Sequence, residues 1–362
     1  MGYRKFTKFI ALVLAVFATI NAFIWFMWVK DITSHSRKGG DLVRMGYISG
    51  LTSSHILSDD LPIRHMDIRK YDKKPVDIIT VGDSFSVGGG GGHNSYYQDY
   101  IASVNNIRVL NVPSYFHFGK ELQFQPVITL SKLINSGYLD IIKPKYLLLE
   151  SIERMAITRF TTDFTLEKRA SIEEIDRYFM ESSFELPNKD MELQFVNNGN
   201  WKFLANAFQY SFRDRARGSS VLKTHLTKPL FTSNDPECLL FYCDDLNTKD
   251  QATVENVRLL NSNLNKVAKL LQSKGIILVF MPVVDKLNLY HPYLKSNKYP
   301  QSTFFEKLRT LPKDYIFIDT KAILSSLLEK GEKDVFFQDD THWNWKASKA
   351  IFEKVLFTKR SE

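Results

Sequence analysis

Cysteine is nearly absent from this chain: two occur in 362 residues, Cys238 and Cys243, both in "ECLLFYC". Two ligands with no histidine nearby make no metal site. They stand either as a small disulfide loop, which a compartment outside the cytoplasm would permit, or as two free thiols. A block of consecutive basic residues is also missing. The net charge is +8 and the pI about 9.1, but lysine and arginine are scattered. That pattern reads as a basic solvated surface, and no nucleic-acid partner is expected. Neither a phosphate-binding loop nor a dinucleotide fingerprint occurs, because the glycine run at 88–92 lacks the Lys-Ser/Thr of a phosphate loop. No cofactor and no metal are expected. Internal repeats are lacking, as is any low-complexity tract beyond that run.

The chain does contain one long apolar run, "FIALVLAVFATINAFIWFMWV" (9–29), with Thr19 and Asn21 as its polar breaks. At about 1.5 Å per residue, a helix of this length crosses a hydrocarbon layer of about 30 Å. Arg4, Lys5 and Lys8 precede it, and Trp25 and Trp28 lie near its far end. Basic residues before the span favour a cytoplasmic N-terminus, and tryptophans suit the opposite interface. The "INA" at 20–22 is a poor signal-cleavage site. An uncleaved anchor over 1–30 is expected, with everything from Lys30 onward outside the cytoplasm, periplasmic or extracellular.

A polar, glycine-containing juxtamembrane linker is expected over 31–75. The stretch 76–81 reads as a buried strand entering a loop at Gly82, followed by a helix over 94–104, a strand over 107–111, a helix over 120–137 and a strand over 146–149. Residues 158–248 break this alternation with charged helical pieces and an irregular aromatic stretch around 197–212, and are expected to form an insertion or cap. The rhythm then resumes. Leu259, Leu260, Leu264, Val267 and Leu271 recur at helical spacing up to Gly275, strands follow at 276–283 and 315–319, and a loop leads into a last helix. The predicted fold is a three-layer α/β/α sandwich over 76–362, with roughly five mostly parallel strands.

In open α/β sheets ligands gather at the carboxyl ends of strands. Ser84, in "TVGDSFS", follows the first strand at that edge. A serine is a poor nucleophile unless a base takes its proton. His342, in "QDDTHWNWKAS", is the best candidate base, and Asp339 and Asp340 are both near enough to orient its ring. The aspartate not used this way is expected to cap the final helix.

These motifs carry a resemblance. "VGDSFS" resembles the nucleophile block of SGNH (GDSL-type) esterases, and "DDTHWN" resembles their terminal Asp/His block, in the same chain order. The Asp-Thr-His-Trp wording is more specifically similar to alginate O-acetylation proteins of the AlgJ/AlgX type, as are "KPKYLLLESIER" and "FMPVVDKLNLY". The resemblance covers roughly 76–154 and 275–357. It implies Ser84 as acyl-accepting nucleophile, His342 as general base and then acid, and Asp340 rather than Asp339 as the orienting carboxylate. It also implies an oxyanion hole built on the Ser84 amide. The family's usual glycine and asparagine donors are replaced here by "NVPSY" and "ESIER", leaving Gly88, Gly89, Asn111 and Arg154 as candidates. The glycine run alternatively serves as a mobile lid. Lys286 and Tyr290, just after a strand, are candidate sugar contacts.

The function so implied is O-acetylation of a polysaccharide or cell-surface glycan. Acetyl-CoA is cytoplasmic, so the resemblance also implies a multi-pass membrane O-acyltransferase as the partner delivering the acyl group. Two alternatives stand beside it: a carbohydrate or lipid esterase with the same triad, and a non-catalytic glycan-binding subunit.

Overall fold

Strands buried on both faces carry near-continuous apolar runs instead of alternation. "IITVG", "YLLLESI" and "ILVFMPV" are such runs, and they form the centre of the sheet. The computed structural model describes residues 2–30, 39–53, 55, 60–92, 94–118, 122–181 and 199–360. Its strands in chain order are β1 (Met66–Asp67), β2 (Ile78–Gly82), β3 (Val109–Pro113), β4 (Tyr115–Phe118), β5 (Leu122–Gln125), β6 (Tyr146–Ile152), β7 (Val221–His225), β8 (Cys238–Tyr242), β9 (Ile277–Val283) and β10 (Ile316–Phe317). Six of them make one sheet in the order β1-β3-β2-β6-β9-β10, parallel at every pairing. Thr80 lies opposite Asn111 on one side and Leu148 on the other, and Leu148 lies opposite Val279. β4–β5 and β7–β8 are separate antiparallel hairpins. The expected mixed α/β fold with a parallel central sheet is thus present, with β1 as a strand that pattern reading missed.

Helices cover the sheet in packed groups. Tyr97–Asn105 lies against the last helix, Trp345–Lys354, with the Tyr97 and Phe352 rings stacked at 5.6 Å. Val254–Gln272 lies along Glu153–Phe160 and β9, where Phe280 meets Phe160 edge-on at 5.3 Å. The long helix starts where Thr253 accepts a hydrogen bond from the Asn256 amide and buries Leu260, Leu264, Val267 and Leu271. Leu259, counted with that face in the sequence, points outward instead.

Several expectations shift. The stretch 120–137 is not all helix: β5 closes a hairpin first, and the helix Pro126–Asn135 begins at a proline, whose missing N–H costs nothing at a first helical position. The aromatic stretch expected to be irregular contains the helix Asn200–Tyr210. Both cysteines are free and buried. Cys238 opens β8 and Cys243 follows its end, so at about 3.3 Å per residue they lie too far apart for a disulfide, which needs Cα atoms within about 7 Å. Residues 31–38, 54 and 56–59 of the expected linker and 182–198 of the expected insertion lie outside the described residues.

The apolar N-terminal helix runs over Tyr3–Ile24 and continues as a wider π turn over Trp25–Val29, long and apolar enough to cross a membrane. Leu12, Leu14, Phe23 and Phe26 are exposed along it. Its far end is not free: Ile24 and Val29 are buried with Phe203, and Phe17 stacks on Trp201 at 6.5 Å. Beyond it, residues 39–53 fold onto the domain. Leu42, Val43, Ile48 and Leu51 of this stretch share an apolar cluster with Val221, Cys238 and Leu240 of the β7–β8 hairpin.

The β9 core offers a direct test. Phe280→Ala removes a fully buried ring wedged between Phe160 and Tyr315. A loss of about 3–5 kcal/mol is expected, read as a lower unfolding midpoint of the full chain in detergent. An unchanged midpoint would contradict the packing of this ring between Phe160 and Tyr315.

Candidate active site

β2 ends in Gly82-Asp83-Ser84, and the turn there is tied to the neighbouring strand. A side chain at Gly82 has no room, since a Cβ would lie 2.2 Å from Glu150 Oε2. The Asp83 amide donates to Glu150 Oε2 at 2.8 Å, and its carboxylate accepts from the Ile152 amide at 2.9 Å and Arg159 Nη1 at 2.6 Å. Burial alone would raise both acids. Asp83 is nevertheless held below its ordinary range by the Arg159 charge and the Ile152 amide. Glu150, desolvated and facing the Asp83 charge, is pushed well above its ordinary value. These hydrogen bonds fix the turn that presents Ser84.

Ser84 Oγ lies 2.7 Å from His342 Nε2, and His342 Nδ1 lies 2.6 Å from Asp340 Oδ1. A carboxylate only accepts, so Nδ1 carries the ring proton and Nε2 is left to accept from the Ser84 hydroxyl. Burial would lower the His342 pKa, but the charge and hydrogen bond of Asp340, helped by Asp41, outweigh burial and a nearby Arg154 and hold it above 6.5. Asp340 is shifted well below its ordinary range despite burial, mainly by His342.

Of the two aspartates, then, Asp340 faces the histidine. Asp339 turns away: its Oδ2 accepts from the Gly40 amide at 3.0 Å, and its Oδ1 lies 3.1 Å from His55 Nε2. Neither acts as the expected helix cap, a position held by Asn344. His55 Nδ1 donates to Gly90 O at 2.6 Å, and its ring stacks on Phe337 at 3.9 Å. With an acceptor at each nitrogen this ring is best satisfied as an imidazolium. Its pKa is raised, the Asp339 bond and charge outweighing burial.

The other residues singled out in the sequence are placed differently from expectation. Asn111 donates to Ser86 O at 2.7 Å and accepts from Thr80 at 3.0 Å, so its amide is committed to the turn. Arg154 is paired with Asp285 at 2.9 Å and Asp245 at 3.3 Å. Tyr290 is fully buried, its oxygen accepting from the Phe336 amide. Lys286 is buried beneath the histidine loop and donates to the carbonyls of Phe337, Gln338 and Asp340 at 2.6, 2.8 and 3.0 Å. Neither Lys286 nor Tyr290 can meet a sugar, because both are sealed under the loop they support.

Within the glycine run, the Gly89 amide donates to Ser84 O at 2.8 Å. A Cβ at Gly89 would sit 2.3 Å from the His342 ring. The run is therefore packed against the histidine and is not a loose lid. Among the described residues, the amides of Ser84 and Gly88 have no acceptor.

Sequence reasoning missed Asp41 and His55. Asp41 accepts from Thr341 N at 2.7 Å and Thr341 Oγ1 at 2.5 Å, while its own amide donates to Asp340 Oδ2 at 3.0 Å. Nothing local marks this residue, since its partners lie 299–300 positions away in the chain. Asp41, Asp340 and His342 offer donor atoms within 4.8 Å of one another, a spacing that a cation could use. The donor chemistry argues against one: Nδ1 must keep its proton for Asp340, and both Asp41 oxygens already accept from Thr341.

A cleft of about 360 Å³ opens at the same carboxyl edge, bordered by Phe124, Pro126, Met155, Arg159, Asp163 and Lys168. A wider one of about 490 Å³ lies around Lys143, Lys145 and Gly275, next to the opposite ends of β6 and β9 and away from Ser84.

Comparison with known families places this geometry in context. Residues 239–356 match the family model of the SGNH hydrolase-like domain, acetyltransferase AlgX. The matched stretch contains β9, the Asp340-Thr341-His342 turn and the last helix, but not Ser84. The SGNH-like resemblance of the C-terminal motifs therefore holds over this stretch, and it points to an enzyme of acetyltransferase or esterase type. No curated protein matches the chain.

The two aspartates separate experimentally. Asp340→Asn should cut turnover of an activated acetyl ester by about 10⁴-fold, as loss of an orienting carboxylate does in serine triads. Asp339→Asn should instead lower the melting temperature, since buried donors lose an acceptor at about 1–3 kcal/mol, with a much smaller effect on turnover. The reverse ranking would assign the orienting role to Asp339.

Proposed function

We propose that the chain is a membrane-anchored O-acyltransferase working outside the cytoplasm, which moves an acetyl group through Ser84 onto a hydroxyl of a polysaccharide or cell-surface glycan. The observation that carries this reading is the hydrogen-bonded series Ser84–His342–Asp340, at 2.7 and 2.6 Å. The AlgX-type match around its histidine half adds the acyl-transfer chemistry.

In the first half-reaction Ser84 Oγ attacks the acyl carbonyl as His342 Nε2 takes the hydroxyl proton. The C–X bond to the leaving group then breaks, and X receives that proton from His342. In the second, a sugar hydroxyl attacks the Ser84 ester and gives its proton to Nε2. The new sugar ester forms, and the proton returns to Ser84 Oγ. Negative charge appears on the carbonyl oxygen in both tetrahedral intermediates, and the amides of Ser84 and Gly88, which have no acceptor among the described residues, are suited to receive it. The acyl donor must reach Ser84 from across the membrane, which calls for a multi-pass acyltransferase as partner. A packed far end of the apolar helix supports an anchor that is retained, since cleavage after residue 22 would remove the Phe17 ring from Trp201.

Two tests follow. With an activated acetyl ester, Ser84 should become acetylated and Ser84→Ala should not, its fold unchanged. His342 must be neutral to accept the proton and its pKa is held above 6.5, so the acid limb of kcat/KM should lie above pH 6.5. When oligosaccharide and water compete, acetylated sugar as main product supports transfer, whereas free acetate regardless of sugar supports an esterase. Topology is checked separately: a periplasmic reporter fused after residue 362 should be active and a cytoplasmic one silent, and the opposite pattern would remove the compartment argument.

A further inference from the structure

We propose that Asp41 is a positioning residue of the Ser84–His342 site: it locks the Asp340-Thr341-His342 turn and sets a second negative charge behind the His342 ring. This rests on the acyl-transfer reading above for its rate consequences, but its structural basis is independent.

Three observations converge on it. Both Asp41 oxygens are spent on Thr341, the residue between the orienting aspartate and the base, through its amide at 2.7 Å and its hydroxyl at 2.5 Å. Asp41 Oδ2 lies 3.8 Å from His342 Nδ1, on the side of the ring where Asp340 sits. The backbone around Asp41 is fastened to the same loop: Gly40 N donates to Asp339 Oδ2, Asp41 N to Asp340 Oδ2, and Leu42 N to Asp339 O, each at 3.0 Å. A Cβ at Gly40 would lie 2.3 Å from Asp339 O, so the approach is close enough to demand glycine. The segment leaving the apolar helix thus supplies one wall of the site.

The consequence is electrostatic as well as steric. When His342 takes the Ser84 proton, the imidazolium faces Asp340 and Asp41 together, with Arg154 opposing them. Lys286 below the loop and His55 beside Asp339 complete the charged surroundings. Asp41 itself is raised to about 6 by burial and by Asp340, so it is largely ionised at neutral pH and adds to the field that stabilises the imidazolium.

The test uses the full chain in detergent micelles and p-nitrophenyl acetate. Asp41→Asn keeps the shape and removes the charge. It should lower kcat by about 10²-fold with KM little changed, as misplacement of a reacting group does. It should also move the acid limb about one unit to lower pH, because a nearby negative charge that raised the His342 pKa is gone. Asp41→Glu should leave the limb in place. A fall in kcat and melting temperature with the limb unmoved would reduce Asp41 to a structural residue and overturn the proposal, as would wild-type behaviour of Asp41→Asn. Should Asp41→Asn not fold, Thr341→Val cuts only the hydroxyl link. A drop in kcat of about tenfold would then support the locking role, and none would overturn it. The His342 pKa is also read without turnover, by NMR of histidine-labelled chain. A drop in Asp41→Asn where the wild type acylates nothing would sink the enzyme reading alone. An unchanged pKa with active wild type would sink the Asp41 proposal alone.

Discussion

A single buried ammonium holds the loop on which the site depends. Lys286 Nζ donates to the carbonyls of Phe337, Gln338 and Asp340, which fixes the backbone just before Thr341 and His342. Taking a lysine out of water costs several kcal/mol unless other groups replace the solvent. Burial accordingly pulls Lys286 down to about 8, and the charges of Asp339, Asp340, Asp41 and Asp245 keep it from falling further. The loop needs the cation for its carbonyls, and the cation needs the loop's carboxylates. Each therefore constrains the other, and the His342 ring inherits a defined position opposite Ser84.

The same logic of unequal environments sorts the acids around the site. Glu150 and Asp83 touch one another under the serine turn, yet Glu150 is shifted up and Asp83 down, because the hydrogen bonds of Arg159 and the Ile152 amide go to Asp83. Asp340 and Asp41 flank one imidazole, yet Asp340 is shifted down and Asp41 up, because the short bond to His342 goes to Asp340. Pairs of titratable groups pushed apart in this way mark sites where a proton is to be moved.

The segment after the apolar helix belongs to this arrangement physically. Its apolar residues share a cluster with the β7–β8 hairpin, and its backbone amides bond the carboxylates of the histidine loop. His55 from the same segment ties Asp339 to Gly90, so the serine-side glycine run and the histidine loop are clasped by one ring. A domain read as starting at residue 76 would lack these contacts.

Local signals were enough for the central strands of the sheet and for the candidate residues Ser84 and His342. Doubly buried strands announce themselves as apolar runs, as 277–283 does, and helices such as Val254–Gln272 by their period, because both follow from which face meets water. Ser84, His342 and a choice of two aspartates were legible since serine chemistry demands those residue types at strand ends. The choice of Asp340 leaned on motif wording, and its geometry came from the fold. Lys286 and Tyr290 were expected to meet a sugar and are buried instead, because a polar residue after a strand looks the same in sequence whether it faces a cleft or the backbone of a covering loop. Asp41 and His55 carried no local mark at all. Their meaning arises from partners some 284–300 positions away, and a contact of that separation exists once the chain has closed around its sheet.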